Sequence, residues 1–144
     1  MPTLDYMILC DYVHLDNSNG KLYILGAGID QIMAVKTPTS HNAGLALRLL
    51  LTSAEVDRKH PIEVIFQDED GNRLIEITTS VTATRPPGVP PGAPVGAQAA
   101  LNLGLPLPKL GTYSLVLIVN NAELKSIPLR VVQARQAQPP HLPG

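Results

Sequence analysis

The sequence predicts an all-β domain: an antiparallel two-sheet β-sandwich of Ig-like or jelly-roll type, with about eight strands. Three observations carry that prediction. Apolar residues recur with period two along most of the chain, the spacing of a half-buried strand rather than the 3.6 of a helix. Strings of turn formers punctuate these runs and no amphipathic helix separates them, which excludes the βαβ alternation of a parallel sheet. The core is aliphatic: hydrophobic residues make up 44% of the 144-residue chain, aromatic residues 3%, and Trp is absent. The buried Trp of antibody-type domains therefore has no counterpart.

Taken in order, Leu4 to Val13 sets Leu4, Tyr6, Ile8, Cys10 and Tyr12 on one face and marks the other with Asp5 and Asp11. Asp16 to Gly20 is a run of turn formers, and Lys21 to Ile32 resumes an extended pattern, so the two runs read as a hairpin. Leu45, Leu47, Leu49 and Leu51 then alternate with Ala46, Arg48 and Leu50. Ile62, Val64 and Phe66 lead into Asp68-Glu69-Asp70-Gly71-Asn72, where glycine supplies the positive φ that a tight reversal needs. The returning strand carries Ile75, Ile77 and Val81 on one side. Ala99 to Leu105, then Tyr113 to Val119, then Ile127 to Val131 complete the set, with Pro128 suited to an edge because it cannot donate to a ladder. Glu55 to His60 has room for a short helical turn that Pro61 would end.

A chain of this length fits one domain, expected over residues 1–132, whose core needs neither a disulfide nor a structural metal. Eleven Lys and Arg stand against twelve Asp and Glu, a net charge of −1. Nucleic acid and anionic membranes both demand clustered cations, so neither is an expected partner. The amino-terminal residues lack the cationic start of a signal peptide, and the longest apolar run, Ala43 to Thr52, falls short of the ~18–20 residues that span a bilayer. Cys10 is the single cysteine, and its strand position predicts a buried, reduced thiol, as expected in the cytoplasm.

Two segments differ in composition. Residues 85–97 hold five Pro and three Gly in thirteen positions. A semi-rigid connection between strands is the favoured reading, and Pro87, Pro90, Pro91 and Pro94 offer a docking loop with the PxxP spacing that aromatic grooves recognise. Residues 133–144 form a polar tail expected to be disordered.

No catalytic constellation emerges. Leu22 to Ile29 resembles the opening of a dinucleotide-binding turn, but Gln31 stands where a third small residue belongs and Pro38 would stop the helix that must follow. The carboxylates of Asp68, Glu69 and Asp70, and of Asp16 with Asn17 and Asn19, lack the spacing of a calcium loop. His14, His41, His60 and His141 are scattered; Ser40-His41 and His14 with Asp16 are at most fragments of a hydrolytic triad. The sequence therefore calls for no catalytic residue, no cofactor and no metal ligand. Sugar-binding sandwiches use exposed flat aromatics, whereas Tyr6, Tyr12, Tyr23 and Tyr113 are expected at the core edge.

Several runs are instead apolar on both faces. Met7, Leu9 and Val13 oppose the Ile8 and Cys10 face, Leu50 opposes Leu49 and Leu51, and Val116 and Ile118 oppose Leu115 and Leu117. A sandwich wets one side of each sheet, so these six residues are candidates for an interface. The implied activity is non-catalytic: a protein-interaction or assembly module, self-associating or binding another protein. The alternative is a small-ligand or metal-ion binding domain using the turn carboxylates with His14 or His41.

The landmarks Leu9-Cys10-Asp11, Gly20-Lys21-Leu22, Leu25-Gly26-Ala27, Pro38, His41, Asp68, Asp70-Gly71, Leu107-Pro108, Gly111-Thr112-Tyr113 and Ile127 to Val131 resemble those of an uncharacterised bacterial domain family of unknown function. The resemblance runs from about Leu4 to Val132. It implies a cytoplasmic bacterial β-sandwich and transfers no activity or site residue.

Overall fold

Asp11 divides the amino-terminal run. Its backbone N–H is shared between the Leu25 and Gly26 carbonyls at 3.0 and 3.2 Å, which turns the chain out of one sheet and into another. A computed structural model describes residues 1–135, all in strands, turns and connections without a helix. The ten strands are β1 (Thr3–Cys10), β2 (Tyr12–Asp16), β3 (Lys21–Leu25), β4 (Gln31–Ala34), β5 (Thr39–Leu51), β6 (His60–Asp68), β7 (Arg73–Val81), β8 (Val95–Leu107), β9 (Gly111–Val119) and β10 (Ala122–Gln133). Ten replaces the expected eight because the first two runs each break in half, at Asp11 and after Leu25.

The strands form a three-stranded sheet ordered β1-β5-β8, a five-stranded sheet ordered β4-β10-β9-β6-β7, and a two-stranded ribbon β2-β3. All pairs are antiparallel except β4 with β10. One buried cluster draws on both large sheets: Leu45, Leu47, Leu49 and Leu51 of β5 join Leu105 of β8, Phe66 of β6, Leu115 and Leu117 of β9 and Leu129 of β10. Fully burying each such side chain stabilises the fold by roughly 1.5–3 kcal/mol. Phe66 and Tyr113 stack within it at 5.2 Å, and the Tyr113 hydroxyl donates to the Lys109 carbonyl at 2.6 Å.

Local chemistry explains the reversals. At the β6–β7 turn the Asp68 carboxylate accepts from the backbone N–H groups of Asp70 and Asn72 and from the Asn72 amide, while Gly71 takes φ +83°. The β9–β10 reversal uses Asn120 and Asn121, both at positive φ, the pattern of a two-residue hairpin whose twist matches its strands.

A bulge between Leu4 and Tyr6 shifts the phase of β1. Leu4 packs against the main core, but beyond the bulge Met7 and Leu9 take that side and Tyr6 and Ile8 face away. A bulge inserts one extra residue and so inverts the alternation beyond it. The outward residues are not left bare. The ribbon folds over them, and Val13, Leu22 and Ile24 form a second cluster with Tyr6, Ile8, Cys10, Ala46 and Ala100. The apolar character of both faces of this sheet thus has an internal cause.

Other boundaries differ from expectation. Val95 to Ala97 belong to β8, because they pair with Leu51 to Leu49. The turn near Glu55 is closed by the Glu55 and Val56 N–H groups, which both donate to the Thr52 carbonyl at 3.0 and 3.2 Å, and Asp57 at φ 61° ends it before β6 begins at His60. Gln133 still pairs with Ala34, and the remainder of the expected tail, 136–144, lies outside the described residues. No helix among the described residues is long and apolar enough to cross a membrane.

Candidate functional site

Three of the six candidate interface residues are removed from the surface by the packing just described. Met7 and Leu9 are in the main core, and Val13 in the second cluster is 1% exposed. Leu50 is half-buried between Thr3 of β1 and Gly96 of β8. Val116 is buried on the outer face of the five-stranded sheet between Ile65 and Ser126, and Ile118 is half-buried between Glu63 and Glu123. These residues do not form one patch.

The proline-rich segment is folded. Pro87 and Gly88 occupy the centre of a turn closed by the Val89 N–H to the Pro86 carbonyl at 3.2 Å, with Gly88 at φ +87°. Pro91 and Gly92 centre a second turn, closed by the Ala93 N–H to the Pro90 carbonyl at 3.0 Å. The Arg85 guanidinium donates to the Pro90 and Ala93 carbonyls at 2.6 and 2.7 Å and to the Ser53 hydroxyl, which in turn bonds the Pro91 carbonyl. Two turns gathered about one cation place Pro87, Pro90, Pro91 and Pro94 off any single extended polyproline helix.

The titratable candidates are engaged in local structure. Hydrogen bonds from the side chain and backbone of Asn72 hold the Asp68 carboxyl below its usual range, and those from the Ser18 hydroxyl and N–H do the same for Asp16. Burial pushes the Cys10 thiol up, and its weak donor points to the Tyr12 and Gly44 carbonyls. His60 is buried with Nε2 2.7 Å from the Glu55 carbonyl. Ser40 and His41 are neighbours on β5 and therefore point to opposite faces. His14 stacks on Tyr23 at 6.4 Å, outside the core. His141 lies outside the described residues. Among the described residues no group of three His, Cys, Asp or Glu is placed to hold a metal ion. The buried Glu55 carboxylate is the most perturbed acid. Its desolvation opposes ionisation, but the amino-terminal ammonium at 2.6 Å and hydrogen bonds from Thr52 outweigh it and lower the pKa to about 2.

Gly26 and Gly28, in the run from Leu22 to Ile29, have a packing role. At Gly26, φ +67°, a Cβ would lie 2.0 Å from the Asp11 carboxylate, so this carboxylate rests on the glycine backbone. The Gly28 and Ile29 N–H groups approach the Leu9 carbonyl at 3.1 and 3.3 Å, and β4 follows where a helix would be required.

What the ribbon leaves facing outward is a compact set of side chains. Cross-strand pairs Tyr12 with Leu25, His14 with Tyr23, and Asp16 with Lys21 share its outer face. Tyr12, Tyr23 and Leu25 are 50%, 48% and 62% exposed. Tyr12 and Tyr23 thus depart from the core-edge position expected of them, because period two alone does not say which strands form a covering ribbon with only one buried face. Tyr113 alone of the four is enclosed by the core. At the foot of the ribbon, Asp11, Tyr12, Asn42, Asn102 and Gly104 line a shallow groove of about 350 Å³.

A family model described as a family of unknown function, DUF6941, matches residues 5–132. No curated protein matches the sequence. Among solved structures, the crystal structure of the C-terminal domain of wzt aligns at TM-score 0.47 and 13% identity, over 93% of this chain and 75% of that one.

Proposed function

The chain belongs to this family of unknown function, and from that premise we propose that it is a non-catalytic β-sandwich that works as an interaction module, associating with a second copy of itself through the outer face of the β2–β3 ribbon. The sandwich reading is supported by the single core that residues of the two large sheets share. The observation that carries the functional reading is the ribbon face itself. It brings two tyrosines and a leucine together in solvent on an element whose other face is buried. Aromatic side chains are enriched where proteins meet, and a two-fold contact needs only one self-complementary patch. Asp16 and Lys21, paired at one end of that face, supply opposite charges for its rim. The engaged state of Cys10, His60 and Asp68 supports a non-catalytic role, and a lone reduced thiol suits the cytoplasm.

Native mass spectrometry and sedimentation equilibrium across a concentration series test this reading. A dimer is expected for the natural sequence, and a monomer for a Tyr23→Ser/Leu25→Ser variant with an unchanged circular dichroism spectrum. A natural chain that stays monomeric at the highest concentration overturns it.

A further inference from the structure

We propose that the groove at the foot of the ribbon is a binding site for a neutral saccharide, a role that goes beyond self-association; Tyr12 borders both this groove and the outer face of the ribbon, so the site is read on the monomeric chain. Its floor and walls follow from strand register. Asn42 opposes Gly104 and Gly44 opposes Asn102 across the β5–β8 ladder, so the two asparagines share the outward row with glycine beside each. At Gly104 a Cβ would approach the Asn42 Oδ1 at 3.7 Å, so the missing side chain leaves the space beside that amide open. At Gly44 a Cβ would come within 2.9 Å of the Val13 backbone nitrogen and 3.1 Å of the Tyr12 carbonyl carbon. The glycine thus lets the β2 backbone cross directly over the sheet and fixes where the Tyr12 ring begins. Asn102 Nδ2 donates to the Val13 carbonyl at 3.3 Å, which steadies the same crossing. Asp11 is held from behind by its shared N–H and by Gly26 beneath its carboxylate. Asp11, Tyr12 and Asn42 are all exposed.

The chemistry of this set narrows the ligand. A carboxylate accepts from two hydroxyls, and a primary amide both donates and accepts, so together they match vicinal hydroxyl pairs. Tyr12, half-exposed and lining the groove, offers an aromatic ring against which sugar C–H groups can pack. The groove lining contains no cation and one carboxylate, which disfavours phosphates, sulfates and uronates by like-charge repulsion. A purely apolar ligand would strip water from the amides without replacing their hydrogen bonds. The volume lies at the lower end of the ~300–1,000 Å³ typical of ligand sites, suited to one or two sugar rings.

The test is a ¹H–¹⁵N NMR titration with the methyl glycosides of glucose, galactose, mannose and N-acetylglucosamine, with calcium chloride and sodium phosphate as comparison probes. At about 10 mM, tenfold above a Kd of about 1 mM, at least one glycoside is expected to shift the Asn42 and Asn102 side-chain amides and the Gly104 N–H. Asn42→Ala, at an exposed position, is expected to retain the folded spectrum and weaken binding at least tenfold, and Tyr12→Leu to weaken it as well. Tyr23→Ser/Leu25→Ser is expected to abolish dimerisation and keep sugar binding, which separates failure of this site from failure of the self-association reading. The proposal is overturned if no glycoside moves these signals, if the shifts persist undiminished in both groove variants, or if only calcium or phosphate moves them.

Discussion

The two large sheets treat their outward faces differently. On the three-stranded sheet that face has small residues on β5 and β8, Gly44, Ala46 and Ala100, beside Ile8 and Cys10 of β1, and the chain's own ribbon lies over it. On the five-stranded sheet the corresponding face carries Glu63, Gln67, Glu76, Thr78 and Ser126, with Ile65 and Val116 sunk between them. Small side chains let a second layer approach, whereas long polar ones keep water near the sheet and shelter the aliphatic residues with their stems. Apolar residues on both sides of a strand therefore have two physical meanings, and residue size tells them apart.

The contrast is sharpest for an added side chain. Gly44→Val is expected to destabilise the fold by about 3 kcal/mol, because its new atoms meet backbone and the Cys10 sulfur, which cannot swing aside. Thr78→Val on the exposed β7 position is expected to stay within about 0.5 kcal/mol of the natural sequence. Urea unfolding midpoints check both. Equal effects would remove the distinction between a covered and a wet face. Removing atoms comes next in size: Val13→Ala, beneath the ribbon, is expected to cost about 2 kcal/mol, and Val116→Ala about 1 kcal/mol, since the void on the open face admits solvent.

Acid should act at the end of the three-stranded sheet, where the Glu55 carboxylate meets the amino-terminal ammonium. Its folded-state pKa, about 2, lies below the ordinary 4.5. Its contribution is therefore complete above the higher value and fades as pH falls toward the lower one. A Tm measured between pH 6 and pH 3 should drop by a few degrees in the natural sequence and by less in Glu55→Gln.

Much of this architecture is legible in the sequence because period two survives in it. Leu45 to Leu51, Tyr113 to Val119 and the Asp68 to Asn72 reversal are each specified by neighbouring residues alone. The division at Asp11 is not, since turning a strand out of its sheet leaves alternation nearly intact. The bulge before Tyr6 then inverts the faces, which is why Met7 and Leu9 read as outward when they are central. The small residues at 44, 46 and 100 are the signal that something must lie above them. The groove is legible only through register, because Asp11, Asn42 and Asn102 meet through pairings between distant segments.

The ribbon covers its own chain's second apolar face and leaves Tyr12, Tyr23 and Leu25 exposed on its other side. Methyl NOEs in the Tyr23→Ser/Leu25→Ser variant, recorded where it is monomeric, test this most directly. Contacts from the Val13 methyls to the Ala46 methyl, and from Ile24 to Cys10, are expected at full strength in the monomer. Their absence there, with recovery only when two chains associate, would mean that a partner covers this face, and would contradict the account.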